Sequence, residues 1–219
     1  VFNKWRIIWG ARIENYSQNL NSIDEANLPV VVDDTQLDIL PSFNLIYSLN
    51  KKQNLRMSGS KTLNRPEFRE LAPFLFYDFD TRFNTSGNPT LKITDIYNAD
   101  LRYEFFLGKG QLFSVSTFYK NFKNPIELQA LANNSNVYQN AASGTNYGVE
   151  LEFRLLVSTL FGTKENKFLD DLTIFSNLAV IRSEVDISNL TPTAVKTPLQ
   201  GQSPYVFNAG LQYINKEAG

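Results

Sequence analysis

The sequence has no cysteine, no histidine and a single methionine among its 219 residues. Without cysteine there are no disulfides. Without histidine or cysteine, the usual zinc, haem and iron–sulfur ligand sets and the Ser/His or Cys/His nucleophile pairs cannot be assembled. Carboxylates, lysines and hydroxyls remain for chemistry, with neither a glycine-rich phosphate loop nor a nucleophile elbow to organise them. The chain therefore reads as a non-enzyme with no implied cofactor. Charge of one sign is missing too: 21 basic and 22 acidic residues leave a formal net charge of -1, which gives no reason to expect nucleic acid as a partner. No apolar run reaches the ~18 residues of a transmembrane helix, but barrel strands cross a membrane with a far weaker signal per segment. The chain opens on Val1 with no signal-like segment and closes on Asn215-Lys216-Glu217-Ala218-Gly219, which reads as a turn entering a further strand. Both ends are expected to be cuts in a longer protein.

What the sequence does have is alternation. From Tyr97 to Leu107 the odd positions Tyr97, Ala99, Leu101, Tyr103, Phe105 and Leu107 are apolar. The even positions Asn98, Asp100, Arg102 and Glu104 are polar, with Phe106 the exception. Period two is the signature of a strand with two unlike faces. Gly108-Lys109-Gly110 then supplies the positive φ of a tight hairpin, and Phe113, Val115, Thr117 and Tyr119 resume the apolar face. Asn146 to Leu155 alternates most cleanly, with Tyr147, Val149, Leu151, Phe153 and Leu155 against Asn146, Gly148, Glu150, Glu152 and Arg154. Similar patterns over 4–14, 38–50, 55–60, 172–180 and 205–213 bring the expectation to about eight strands in one antiparallel meander. Pro41 is expected at a strand entrance or edge.

The intervening stretches 15–37, 62–91, 121–144 and 184–203 are expected to be long irregular loops, with Asn133-Asn134-Ser135-Asn136 a turn. Residues 51–53 and 108–110 are short turns, and 158–171 is a medium connection. Long and short connections thus alternate, so one end of the sheet carries elaborate loops and the other carries turns. Outer-membrane barrels have this asymmetry, with apolar residues outward and polar ones toward the lumen. A soluble sandwich or lipocalin-like ligand-binding module, apolar residues inward, is the other reading of the same alternation.

A series of short motifs carries a family resemblance. Lys61-Thr62-Leu63-Asn64-Arg65-Pro66-Glu67-Phe68-Arg69-Glu70-Leu71-Ala72-Pro73-Phe74 resembles a proline- and arginine-containing segment of TonB-dependent outer-membrane receptors. Gly87-Asn88-Pro89-Thr90-Leu91-Lys92 is similar to the segment before one of their strands. Asp100 to Glu104, Phe118 to Glu127, Gly144 to Glu152 and Gly201 to Tyr205 continue the likeness in the family's order, closest to receptors of Bacteroidetes-type bacteria. The resemblance implies residence in the Gram-negative outer membrane and energised uptake of a scarce nutrient (siderophore, cobalamin, glycan or peptide). It also implies three partners besides lipid: an N-terminal plug domain, a TonB-type energising protein acting through that plug, and the small nutrient ligand. Residues 1–219 would be part of a barrel of roughly 22 strands, with plug and remaining strands outside this stretch. Six residues in the second long loop, Arg65, Glu67, Arg69, Tyr77, Asp78 and Asp80, are candidates for contact with ligand or plug at the outer mouth. A solvated loop with local ion pairs is the plainer account of them. Glu150 and Glu152 read as lumen-lining partners of Arg102 or Arg154, not as an acid/base couple.

Overall fold

The computed structural model describes residues 4–24, 26–79, 82–131, 135–162, 166–190 and 196–214. The chain opens with β1 (Trp5–Ile23), β2 (Pro29–Asn50) and β3 (Gln53–Asn64), then α1 (Phe68–Leu71) and the short strands β4 (Leu75–Asp78) and β5 (Phe83–Ser86). The hairpin β6 (Thr94–Gly108) and β7 (Gln111–Lys123) follows, then β8 (Ile126–Ala130), β9 (Ser135–Asn140) and β10 (Ser143–Leu156). Two short helices, α2 (Val157–Phe161) and α3 (Lys167–Asp171), lead to β11 (Leu172–Asp186), β12 (Lys196–Thr197) and β13 (Tyr205–Tyr213).

The main sheet runs β1-β2-β3-β6-β7-β10-β11, with β13 and the two-residue β12 both paired to β11. Every pairing in it is antiparallel, so the meander expected from the period-two pattern is what the chain forms. The turn at Gly108, Lys109 and Gly110 takes positive φ at all three residues, as that hairpin required.

The faces are inverted relative to a water-soluble barrel. The row Trp5, Ile7, Trp9 and the rows Tyr147, Val149, Leu151 and Tyr205, Phe207, Leu211 are exposed, Trp9 at 80 % and Leu211 at 67 %. On the opposite face Glu104 and Ser114 are exposed by only 6 % and 1 %. Cross-strand register sets the aromatics in bands: Phe105, Phe113 and Phe153 are neighbours near the turn end, and Tyr119 stands beside Tyr147 toward the loop end. Trp5 packs on Tyr47 with ring centroids 4.3 Å apart. The inward-apolar arrangement of a soluble barrel is therefore not adopted.

The long loops differ from expectation. Residues 15–37 are not irregular: β1 and β2 continue as a paired ribbon from Ile13↔Ile39 to Ile23↔Pro29, beyond which the Asp24 N–H donates to the Leu28 carbonyl and the Asn27 N–H to the Asp24 carbonyl. One face of that ribbon is exposed and the other is covered around Gln18, but polar residues stand on both, so no apolar alternation marks β1 there and the backbone ladder defines the strands. Pro41 lies inside β2, opposite Ala11, just beyond the last β2–β3 pair, Ser42↔Ser60. Within 62–91 lie α1, β4 and β5, and within 121–144 lie β8 and β9. These short strands assemble a second sheet, β4-β5-β9-β8, whose β5–β9 pairing is parallel. Ser135 and Asn136 open β9 instead of turning, while 133 and 134 lie outside the described residues. The medium connection holds α2 and α3, and the last loop is shortened by the extension of β11 to Asp186. The expected turn at 215–219 also lies outside the described residues.

Candidate functional site

Two polar constructions stand out, one on the inner wall of the sheet and one at its loop end. The inner wall follows from alternation: with the apolar residues of β3, β6, β7 and β10 turned outward, their charged residues share one face. Arg56 and Arg102 are directly opposite across β3 and β6, a like-charge pairing that needs an anion between them. Glu104 supplies it, accepting from Arg56 Nη2 and from Arg102 Nε, each at 3.1 Å. Arg102 Nη2 reaches on to Glu152 Oε2 at 2.7 Å, and Ser114 Oγ donates to the same oxygen at 3.4 Å. Ser116 donates to Glu150, Arg154 to Gln212 and Asn208 to Asn177. The wall is thus laced by polar contacts from β3 to β13. Glu152 is the lumen partner of Arg102 that the spacing suggested, whereas Glu150 pairs with a serine and Arg154 with a glutamine.

At the loop end, Arg65 leaves β3 and turns back to the β1–β2 ribbon. Its Nη1 donates to Glu14 Oε2 and its Nη2 to Asp38 Oδ2, both at 2.6 Å, and the guanidinium lies 4.4 Å over the Tyr16 ring. Glu67 and Glu70 form a reciprocal capping box on α1, and Arg69 lies 3.8 Å over the Phe76 ring. Tyr77 meets Phe79 edge-on at 5.1 Å, and both are exposed. Asp78 closes β4 opposite Phe83. Asp80 lies outside the described residues. The five described candidates therefore do not converge on one point: Arg65 braces the ribbon, Glu67 and Arg69 organise α1, and Tyr77 and Asp78 sit on β4.

The residues that sequence reasoning passed over are amides and a glycine. A Cβ on Gly87 would lie 2.3 Å from the Ala72 carbonyl oxygen, so this segment packs on the end of α1 in a way only glycine permits. Asn140 holds three segments together. Its Oδ1 accepts from the Lys92 N–H at 2.7 Å, and its Nδ2 donates to the carbonyls of Lys92 and Asn124 at 3.0 and 2.8 Å. Gln200 mimics a neighbouring strand, accepting from the Leu128 N–H and donating to its carbonyl. The signal for these was an Asn/Gln-rich loop composition, which does not say which amide meets which backbone.

Beneath Gln200, a groove of about 250 Å³ between β8 and the last loop is lined by Glu127, Leu128, Ile187, Leu190 and Pro198. Burial pushes the Glu127 carboxyl above its usual range, partly offset by the Gln200 main-chain N–H. Among the described residues no cluster of three or more His, Cys, Asp or Glu could hold a metal ion. No described helix is long and apolar enough to cross a membrane, which says nothing of a barrel.

This combination of an antiparallel wall, apolar outside and ion-paired inside, with interlocked loops at one end, defines a transmembrane-type β-barrel wall. The family model described as TonB dependent receptor-like, beta-barrel, matches residues 1–219. The chain belongs to that family, whose members are outer-membrane receptors and transporters and not enzymes.

Solved structures agree in fold. The ferric citrate transporter FecA in its unliganded form is 15 % identical with a TM-score of 0.67, covering 99 % of this chain and 29 % of its own. The copper transporter OprC, also 15 % identical, gives 0.63 over 97 % of this chain and 30 % of its own. The siderophore receptor PirA from Pseudomonas aeruginosa gives 0.51 at 17 % identity, over 84 % of this chain and 34 % of its own. The chain spans about a third of the length of these structures. No curated protein matches it in sequence.

Proposed function

We propose that residues 1–219 are part of the barrel wall of a Gram-negative outer-membrane receptor that imports a scarce nutrient with energy delivered by a TonB-type protein. The motif order within 61–127 and 144–205 supports a receptor of the Bacteroidetes type, and siderophore, cobalamin, glycan or peptide are the classes of cargo. The observation that carries the reading is the inverted burial, which makes sense only with lipid outside and a wet, charged passage inside. In this reading the plug domain fills the passage and meets the ladder of Arg56, Glu104, Arg102 and Glu152. Ligand is met at the loop end. There, Tyr77 and Asp78 on β4, beside Phe79, present a stacking and hydrogen-bonding edge, Asp80 follows directly in sequence, Arg69 of the Glu67-capped α1 steadies that edge through Phe76, and Arg65 braces the β1–β2 ribbon.

The test is uptake by cells carrying the full-length receptor, using a panel of labelled ferric siderophores, cobalamin, oligosaccharides and peptides. Uptake of one class should require the receptor and stop when an uncoupler collapses the inner-membrane potential. Y77A and D78N in the full-length receptor should weaken binding of that class at the cell surface while leaving the amount of folded receptor unchanged. Uptake that persists undiminished with the uncoupler present would rule out the energised reading.

A further inference from the structure

The β10–β11 connection stands at the turn end of the wall, where β2–β3 and β6–β7 are joined by tight turns. Here the chain builds two helices instead, and their exposure is the reverse of what water would select. Phe161 is 72 % exposed, and Leu160 and Phe168 are more than half exposed, whereas Ser158 and Asp171 are buried. Ser158 Oγ donates to Asp170, the Leu156 N–H donates to Gln111 Oε1 at 3.1 Å, and the Ile214 N–H donates to the Asp171 carbonyl at 2.9 Å. Those contacts tie the two helices to each other, to β7 and β10, and to the residue that follows β13. Phe168 lies over Tyr213, ring centroids 5.3 Å apart. Tyr213 belongs to the outward apolar row of β13, so α3 continues the lipid-facing surface past the end of the strands.

We propose that α2 and α3 form an interfacial anchor: Phe161, Phe168 and Leu160 enter the acyl boundary of the turn-side phospholipid leaflet. The exposed lysines Lys51, Lys52 and Lys109 of the two neighbouring turns meet its anionic headgroups. The occupant follows from continuity with the apolar wall and from charge. Aromatic rings at the rim of a barrel sit at headgroup depth, and lysines beside an anionic surface add attraction that fades within a Debye length. The inference rests on the outer-membrane reading of the wall.

Residues 1–219 contain no cysteine, so single-cysteine spin labelling is direct in the full-length receptor once cysteines elsewhere are replaced. The receptor is reconstituted in vesicles of phosphatidylethanolamine and phosphatidylglycerol. Nitroxides at 161 and 168 are then compared with one at Asn166 and one at Leu151 for collision with oxygen and with a water-soluble nickel complex. Oxygen should dominate several-fold at 151, 161 and 168, and nickel at 166. Exchanging phosphatidylglycerol for phosphatidylcholine should lower the oxygen-to-nickel ratio at 161 while leaving 151 unchanged. Nickel dominance at 161 and 168, or exclusion of both reagents there by a protein partner, overturns the anchor. An unchanged ratio on lipid exchange overturns the part given to the lysines. Oxygen dominance lost at 151 as well would instead mean that the membrane reading of the wall has failed.

Discussion

A single guanidinium, that of Arg65, takes Glu14 and Asp38 at 2.6 Å each while lying on Tyr16. Its planar fork meets two carboxylates from different strands at once, a geometry a lysine ammonium cannot copy. R65K should therefore fail to restore what R65A loses. With a spin label at Val31 in the full-length receptor, both variants should give a more mobile spectrum than the parent. A spectrum from R65K as immobile as the parent's would refute bidentate bracing.

Glu127 offers a pH readout at the same scale. Its carboxyl titrates above the ordinary range in the folded chain, so the folded state holds a proton that the unfolded state releases first. The stabilisation is complete below the ordinary glutamate pKa and is lost as pH rises through the folded value. No other charged residue lines the groove among the described residues. Hydrogen exchange of the β8 amides should thus quicken, beyond the intrinsic rise, as pH climbs through that window. E127Q should remove this extra dependence. Equal pH dependence in the two proteins would discard burial as the cause.

At the scale of elements, the strand faces make the sharpest expectation. Leu151 stands mid-strand on the outward row of β10, and arginine at a lipid-facing midplane position costs about 2–4 kcal/mol. L151R should cut assembled receptor in the outer membrane far more than E152A, scored by heat-modifiable migration. A cysteine at 151 should react with a lipid-confined reagent and one at 152 with a water-borne reagent; the reverse pattern would overturn the orientation. Gly87 is the loop counterpart. G87A drives a methyl against the Ala72 carbonyl, an overpacking that costs about 1–3 kcal/mol. Proteolytic nicking between α1 and β6 should rise while the barrel stays assembled.

The elements that sequence disclosed are those with two unlike faces. Tyr97–Leu107 and Asn146–Leu155 announce themselves because lipid-facing and lumen-facing side chains must alternate. The β1–β2 ribbon beyond Ile13 was hidden because the covered face carries a polar Gln18 as the exposed face carries Asn15, Ser17 and Asn19, and a ladder of backbone bonds leaves no mark on composition. The second sheet was hidden for a related reason: β4, β5, β8 and β9 are short and meet through long-range pairing such as Asn84↔Ser135. Of the candidate site, Arg65 and Glu67 were visible as charges, but their roles as brace and helix cap depended on partners up to 51 residues away.

At the scale of the whole molecule, β1 and β13 are the outer strands of the described sheet, each paired on one side. An unpaired strand edge is costly in lipid, where no water replaces the missing partner. Residues 1–219 produced alone should dissolve only in detergent and either associate through these edges or close into a smaller barrel. In a lipid-bilayer conductance assay they should not reproduce ligand-dependent transport. A monodisperse monomer in plain buffer would count against the wall itself.

The Arg65 junction also has a mechanical side. From Glu14 to Ile23 the β1–β2 ribbon runs about 30 Å, at roughly 3.3 Å per residue, past the point where β3 leaves it. Arg65 grips the ribbon at Glu14 and Asp38, four residues beyond the last β2–β3 pair, and so acts as its fulcrum. With a lever arm of that length, a tilt of about 6° at the grip carries the tip some 3 Å sideways. A displacement too small to disturb the ion-paired wall is thereby magnified at the far end of the ribbon, and a push on the tip returns to Arg65 as torque.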